Sequence, residues 1–172
     1  MTKKERAWPG VELSSKEFYG KVTSVTFRPD VKFAWSAGEA MSRFLAELKE
    51  GRLIARTCRG CSRTLFPPRM FCEECFRPTD AWAYVKDTGT IETFSISYID
   101  LDARRIEEPI YVGVVSVDGA SPRMGLMHFF GDVTPETIKI GMRVKAVWRA
   151  PEDRTGSVLD IRYWRPLREG DR

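Results

Sequence analysis

Four cysteines fall close together, Cys58, Cys61, Cys72 and Cys75, in the pattern C-x2-C-x10-C-x2-C. A C-x-x-C pair presents two thiolates from one tight turn, and two such turns complete a tetrahedral four-sulfur shell for Zn²⁺. Gly60 lies inside the first pair, where the backbone must bend so that its amides point at sulfur. The intervening Ser62–Phe71 is long enough for a short two-stranded hairpin that brings the two turns together. Two disulfides are a rival reading, but they suit small secreted domains, and Met1–Gly10 has no apolar stretch of the signal-peptide kind. A thioredoxin-type redox pair needs a helix N-terminus in a βαβ unit, and the sequence offers neither. Structural zinc is the expectation, with iron in a rubredoxin-like site as the alternative. Four protein ligands leave the metal no open position, so the site holds structure and performs no reaction.

Little else in the chain could do chemistry. No cysteine remains as a nucleophile, and the single histidine, His128, sits in the apolar run Gly125–Phe130. In such a run a histidine is more often packed than a general base. Neither a G-x-S-x-G elbow nor a phosphate-cradling glycine loop occurs.

At 172 residues the chain suits one domain or two small modules. A hydrophobic share of 42% is too high for wholesale disorder, and no apolar run approaches a membrane span, which points to a soluble cytoplasmic protein. The net charge of +4 invites a nucleic-acid reading, so its distribution matters. Residues 52–77 carry +4, including Arg56, Arg59, Arg63, Arg69 and Arg77, while residues 78–140 carry −5. Zinc with four thiolates adds −2, which halves the apparent basicity. Residues 82–165 carry 11 basic and 12 acidic side chains. That balance argues against a single-stranded nucleic-acid binder, whose barrel needs a positive groove with stacking aromatics.

The elements that must position the cysteines follow from punctuation and period. Residues 1–35 read as irregular but aromatic, with Trp8, Phe18, Tyr19, Phe27, Phe33 and Trp35; they either pack on the chain's own surface or wrap a partner. Ser36 and Glu39 fit a capping box opening a helix over 36–51. Its stripe Met41, Phe44, Leu45, Leu48 must be covered by this chain or by another subunit, and Gly51 is a natural stop. The four-cysteine ribbon occupies 52–80. Five strands are expected over 81–166, before a short tail at 167–172. Thr90–Ile99 alternates with Phe94, Ile96 and Tyr98 on one face, while Pro109–Val117 is almost continuously apolar, as in a strand buried on both faces. Arg123–Phe130 is the third candidate, and Thr134-Pro135-Glu136 reads as a helix start. Met142–Trp148 alternates, and Val158–Trp164 aligns Leu159, Ile161 and Tyr163. The fold class is mainly β with an N-terminal helix: a rubredoxin-like zinc ribbon followed by a five-stranded OB-type barrel.

This order of elements resembles the acyl-CoA-associated zinc-ribbon/OB-fold proteins encoded beside thiolases. The matching text is Phe44–Gly51 before the ribbon, Phe66-Pro67-Pro68-Arg69 between the knuckles, Gly89-Thr90-Ile91 opening the barrel, Ile140–Val144 entering its fourth strand and Trp164-Arg165-Pro166 ending it. The resemblance spans residues 36–166. It implies a non-catalytic subunit that binds a thiolase-superfamily catalytic subunit in a hetero-oligomer and helps it hold a coenzyme A thioester. One such relative belongs to the benzoylsuccinyl-CoA thiolase of aromatic degradation. Under that implication Trp35 and Phe44 become expected anchors for the partner. Arg63 and Arg69 become expected neighbours of the coenzyme A phosphates by charge matching, against the plainer expectation that they are only solvated.

Overall fold

A computed structural model describes residues 13–24, 34–100 and 102–171. Trp8, Phe27 and Phe33 lie outside them. The chain divides into two compact units, 1–35 and 36–172.

In the first unit Ser15–Lys21 forms a helix, α1, which corrects the expectation of an irregular segment. Ser14 and Glu17 make a capping box: the Glu17 amide donates to Ser14 Oγ at 3.4 Å, and the Ser14 amide donates to Glu17 Oε2 at 3.2 Å. Lys21 Nζ closes on Glu17 at 3.3 Å. No residue of α1 is buried, so local bonds hold it. Trp35 is exposed.

The second unit opens with α2, Gly38–Lys49. Its start differs from the expected one. Ala37 is the N-cap, and Gly38 has φ +69°, so Ser36 Oγ accepts only the Gly38 amide at 3.3 Å and no box with Glu39 forms. The stop is as expected. Gly51 has φ +72°, its amide donates to Leu48 O, and the Arg52 amide donates to Glu47 O, both at 2.9 Å. The apolar stripe is covered by this chain itself. Phe44 and Leu48 are wholly buried, and the Phe44 ring meets Phe66 edge-on at 5.7 Å.

The ribbon comprises β1 (Leu53–Cys58), β2 (Arg63–Leu65), β3 (Phe71–Cys72), β4 (Arg77–Pro78) and β5 (Ala81–Val85). A three-stranded sheet has the order β2-β1-β5, and β3 pairs with β4 alone. The expected hairpin within Ser62–Phe71 therefore does not form. Each cysteine pair is instead the turn of its own hairpin, with Cys58 paired to Arg63 and Cys72 to Arg77.

Strands β6 (Thr88–Ile99), β7 (Arg105–Val117), β8 (Gly125–Phe130), β9 (Arg143–Trp148) and β10 (Ile161–Pro166) form a closed barrel in the order β10-β8-β7-β6-β9. Three details depart from expectation. On β7 only Gly113, Val115 and Val117 are buried, because no layer among the described residues packs on the sheet's other face. Thr134–Thr137 is a single turn and not a helix: the Thr134 amide donates to Thr137 Oγ1 at 2.8 Å, and Ile138 turns into the core. A bulge between Ile161 and Tyr163 puts Ile161 and Trp164 inside together, and Leu159 is exposed.

One apolar core runs through ribbon and barrel, from Phe44, Ile54 and Phe66 to Val115, Val144 and Trp164. A buried carboxylate braces the loop that α2 packs on. Asp160 accepts the amides of Thr155, Gly156 and Ser157 at 3.0, 2.7 and 3.0 Å. Burial works to raise its pKa, but these bonds outweigh it and hold it below the usual carboxylate range. No helix among the described residues is long and apolar enough to cross a membrane.

Candidate metal centre

The four cysteine sulfurs lie within 4.8 Å of one another, with Cys61 Sγ and Cys72 Sγ 3.5 Å apart. A tetrahedral Zn²⁺ with bonds of about 2.3 Å separates its sulfurs by about 3.8 Å, so the donor set fits the ion. Cys58 and Cys72 are buried, and Cys61 and Cys75 are half-buried. The local backbone prepares the site. The amide of Cys61, and behind it that of Gly60, points at the Cys58 sulfur and lowers its pKa to about 7 against the cost of burial. Cys75, close to Cys61 and desolvated, is pushed up to about 12. Crowded thiols of this kind cannot all ionise without a cation among them.

The residue after each pair is left-handed, Ser62 at φ +60° and Phe76 at φ +49°, so the two turns repeat one geometry. Gly60 has a separate reason to be glycine: a Cβ there would lie 3.2 Å from Cys75 Sγ. Thr79 and Asp80 clasp the ribbon from behind. The Arg59 amide donates to Asp80 Oδ2 at 2.7 Å, and Arg77 donates to Oδ1 at 3.0 Å. Arg56, buried, donates to the Thr79 hydroxyl at 2.8 Å and to its carbonyl at 2.6 Å, and stacks over Trp82 at 4.6 Å. Sequence reasoning missed this clasp, because its Arg56–Thr79 and Arg59–Asp80 contacts join residues more than twenty positions apart.

Comparison with known proteins adds the family. Residues 45–80 match the ChsH2 rubredoxin-like zinc ribbon domain, and residues 82–149 match the ChsH2 C-terminal OB-fold domain. This chain belongs to the ChsH2 zinc-ribbon/OB-fold family. A DUF35 domain-containing scaffold protein of Methanocaldococcus jannaschii is 27% identical over 114 residues, covering 64% of this chain and 78% of that protein. A DUF35-family protein of unknown function from Sulfolobus solfataricus superposes with a TM-score of 0.54 at 26% identity, over 64% of this chain and 78% of the other. The Ltp2-ChsH2(DUF35) aldolase gives the same TM-score at 20% identity, over 81% of this chain and 98% of that one; at that identity the likeness is one of fold.

In this ChsH2-family chain the remaining expected site residues are dispersed. Arg63 is tied to Glu73 at 2.8 Å and to Glu74 at 3.0 Å, and its side chain is only 16% exposed. Arg69 is half-exposed, with Glu73 at 3.8 Å. Phe44 is 0% exposed, which removes it as an anchor for a partner: its ring is already spent on the chain's own core. A cleft of about 640 Å³ that sequence reasoning did not find opens where the ribbon sheet meets the barrel, lined by Arg52, Tyr84, Lys86, Asp118 and Arg143. Two of its cations are bound by acids. Arg52 meets Glu47 at 2.8 Å, and Arg143 is bidentate on Asp118, whose pKa it lowers.

His128 is 5% exposed inside the barrel, with Nε2 3.0 Å from Val158 O. Nδ1 has no hydrogen-bond partner among the described residues. Facing a carbonyl, Nε2 carries the proton of a neutral ring, and desolvation lowers the pKa. A base whose pKa is depressed on folding supports the fold above its unfolded pKa and weakens it as pH falls. The thermal midpoint should therefore fall as pH drops below about 6.5, and His128→Gln should flatten that part of the profile. A flat wild-type profile through the same range would contradict this account.

Proposed function

We propose that this chain is a non-catalytic zinc-binding subunit of a thiolase-superfamily enzyme complex that makes or breaks carbon–carbon bonds in acyl-CoA thioesters. It would support assembly and acyl-CoA binding. The observation that carries the reading is the gathering of all four cysteines into one closed shell in a member of the ChsH2 family. Thiolase chemistry needs a nucleophilic thiol with acid–base partners. Here every thiol is committed, and the lone histidine is buried with its Nε2 held at a carbonyl. Chemistry therefore belongs to a partner. The description of one relative as a scaffold protein, and of another as part of an Ltp2–ChsH2 aldolase, agrees with that division of labour.

In this reading the coenzyme A phosphates meet the ribbon's basic side through Arg69, whose distant Glu73 contact leaves it able to turn, with Arg63 behind it. Trp35, 84% exposed, serves as a partner contact in the N-terminal segment. The rival, a single-stranded nucleic-acid binder, is weakened because Arg56, Arg63 and Arg77 are already engaged within the ribbon.

The decisive experiment is co-expression with the thiolase-type subunit of the same organism. The two should co-purify, and the isolated chain should turn over no β-oxoacyl-CoA. Arg69→Ala should raise the apparent KM of the complex for acyl-CoA several-fold at unchanged kcat, as loss of one charged phosphate contact does. Turnover by the chain alone overturns the non-catalytic assignment, and an unchanged KM removes Arg69 from the site.

A further inference from the structure

The barrel's outer surface carries a face that a solvated sheet would not have. Paired residues on neighbouring antiparallel strands point the same way. The register sets Val112 opposite Phe129 and Val114 opposite Met127 on β7 and β8, while Ser95 faces Val112 and Ser97 faces Ile110 on β6 and β7. The alternate residues Gly113, Val115, Leu126, His128 and Phe130 are the buried ones, so the former set points outward. Met127 is 71% exposed, Phe129 43% and Ile110 39%. From the pair Thr93–Val114 to the pair Ser97–Ile110 no outward position is charged, in a chain whose residues are 30% charged. β6 adds only hydroxyls beside the apolar strip.

We infer that this face, centred on Met127 and Phe129, is where the chain docks on its catalytic subunit, against an apolar and charge-free surface of that partner. The inference rests on the function proposed above. Closure of the barrel removes its own free strand edges, so a partner meets the barrel through a face and not by adding a strand to it. Its lack of charge selects the occupant's chemistry: a carboxylate or ammonium buried there would find no counter-charge and only the few β6 hydroxyls. Adaptable methionine beside an aromatic ring, ringed by polar groups, is the composition of an interface centre. Neither phosphate nor nucleic acid fits it, since both require cations. On the function proposed above the chain acts through another polypeptide, which makes that heterologous subunit the occupant.

The test is Met127→Glu, alone and with Phe129→Lys, in the full chain co-expressed with the thiolase-type subunit. Both positions are outward, so the variants should keep wild-type zinc content and thermal midpoint while affinity for the catalytic subunit falls at least tenfold. Phe76→Glu, at an aromatic on the ribbon that is still more exposed, at 89%, is the control and should bind as wild type. If wild type binds and Met127→Glu binds undiminished, the face is overturned while the proposed function stands. If wild type itself does not bind, the proposed function fails first. Sedimentation of the chain alone completes the set: a dimer abolished by Met127→Glu would assign the face to self-association and overturn the inference.

Discussion

Replacing Cys72 with serine should strip the metal and unfold the ribbon together with the helix that packs on it. Purified wild type should contain one zinc per chain, and the variant should contain none. The expected effect is large, because structural zinc contributes about 10–16 kcal/mol at neutral pH, whereas a whole domain is stable by about 5–15 kcal/mol. The ribbon has little else to stand on: β3 and β4 are two residues each, and β2 is three. Its core residues Leu65 and Phe66 lie between the two knuckles, so losing the cluster exposes them and withdraws the Phe66 ring from Phe44. Chelation of wild type should produce the same unfolding, read as loss of zinc with a fall in near-ultraviolet circular dichroism. Wild type that is metal-free as purified, with an unchanged thermal midpoint after chelator, would disprove the assignment.

Phe44→Ala should destabilise the protein by about 3–5 kcal/mol, the usual cost of removing a fully buried phenyl ring and leaving a cavity. Phe44 is wholly enclosed on α2, against Phe66 and within the shared core, so the loss should appear in the isolated chain as a lower thermal midpoint. A docking anchor behaves differently: its removal weakens assembly and leaves the free chain's stability alone. Trp35→Ala provides the contrast, since an exposed residue should change stability by no more than about 0.5 kcal/mol. If Phe44→Ala unfolds at the wild-type temperature but assembles poorly, Phe44 is a docking anchor and not a core residue.

These two residues show what spacing can and cannot carry. The i, i+3, i+4, i+7 pattern around Phe44 identifies one apolar side of a helix, and α2 has that side. The pattern carries no information about what covers it. The answer came from Phe66, twenty-two positions away, and from the loop held by Asp160. Capping signals had the same limit. Ser36 and Glu39 have the right spacing, but Gly38 enters the helix with positive φ, and Ser36 is left capping only one amide. Among the described residues the boxes that do form are at Ser14–Glu17 and Ser157–Asp160.

By itself the sequence determined the four-sulfur donor set, the order ribbon then barrel, and the lack of a fifth cysteine. All three are local or compositional: a C-x-x-C turn is made by four consecutive residues, a strand's period by its own alternation, and a missing thiol by counting. The tertiary structure decided everything that depends on distant partners. It made each cysteine pair the turn of a separate hairpin, engaged Arg63 with Glu73 and Glu74, and buried Phe44. It also turned Met127 and Phe129 to the outside of the barrel, because alternation assigns residues to two faces while only barrel closure decides which face is the interior.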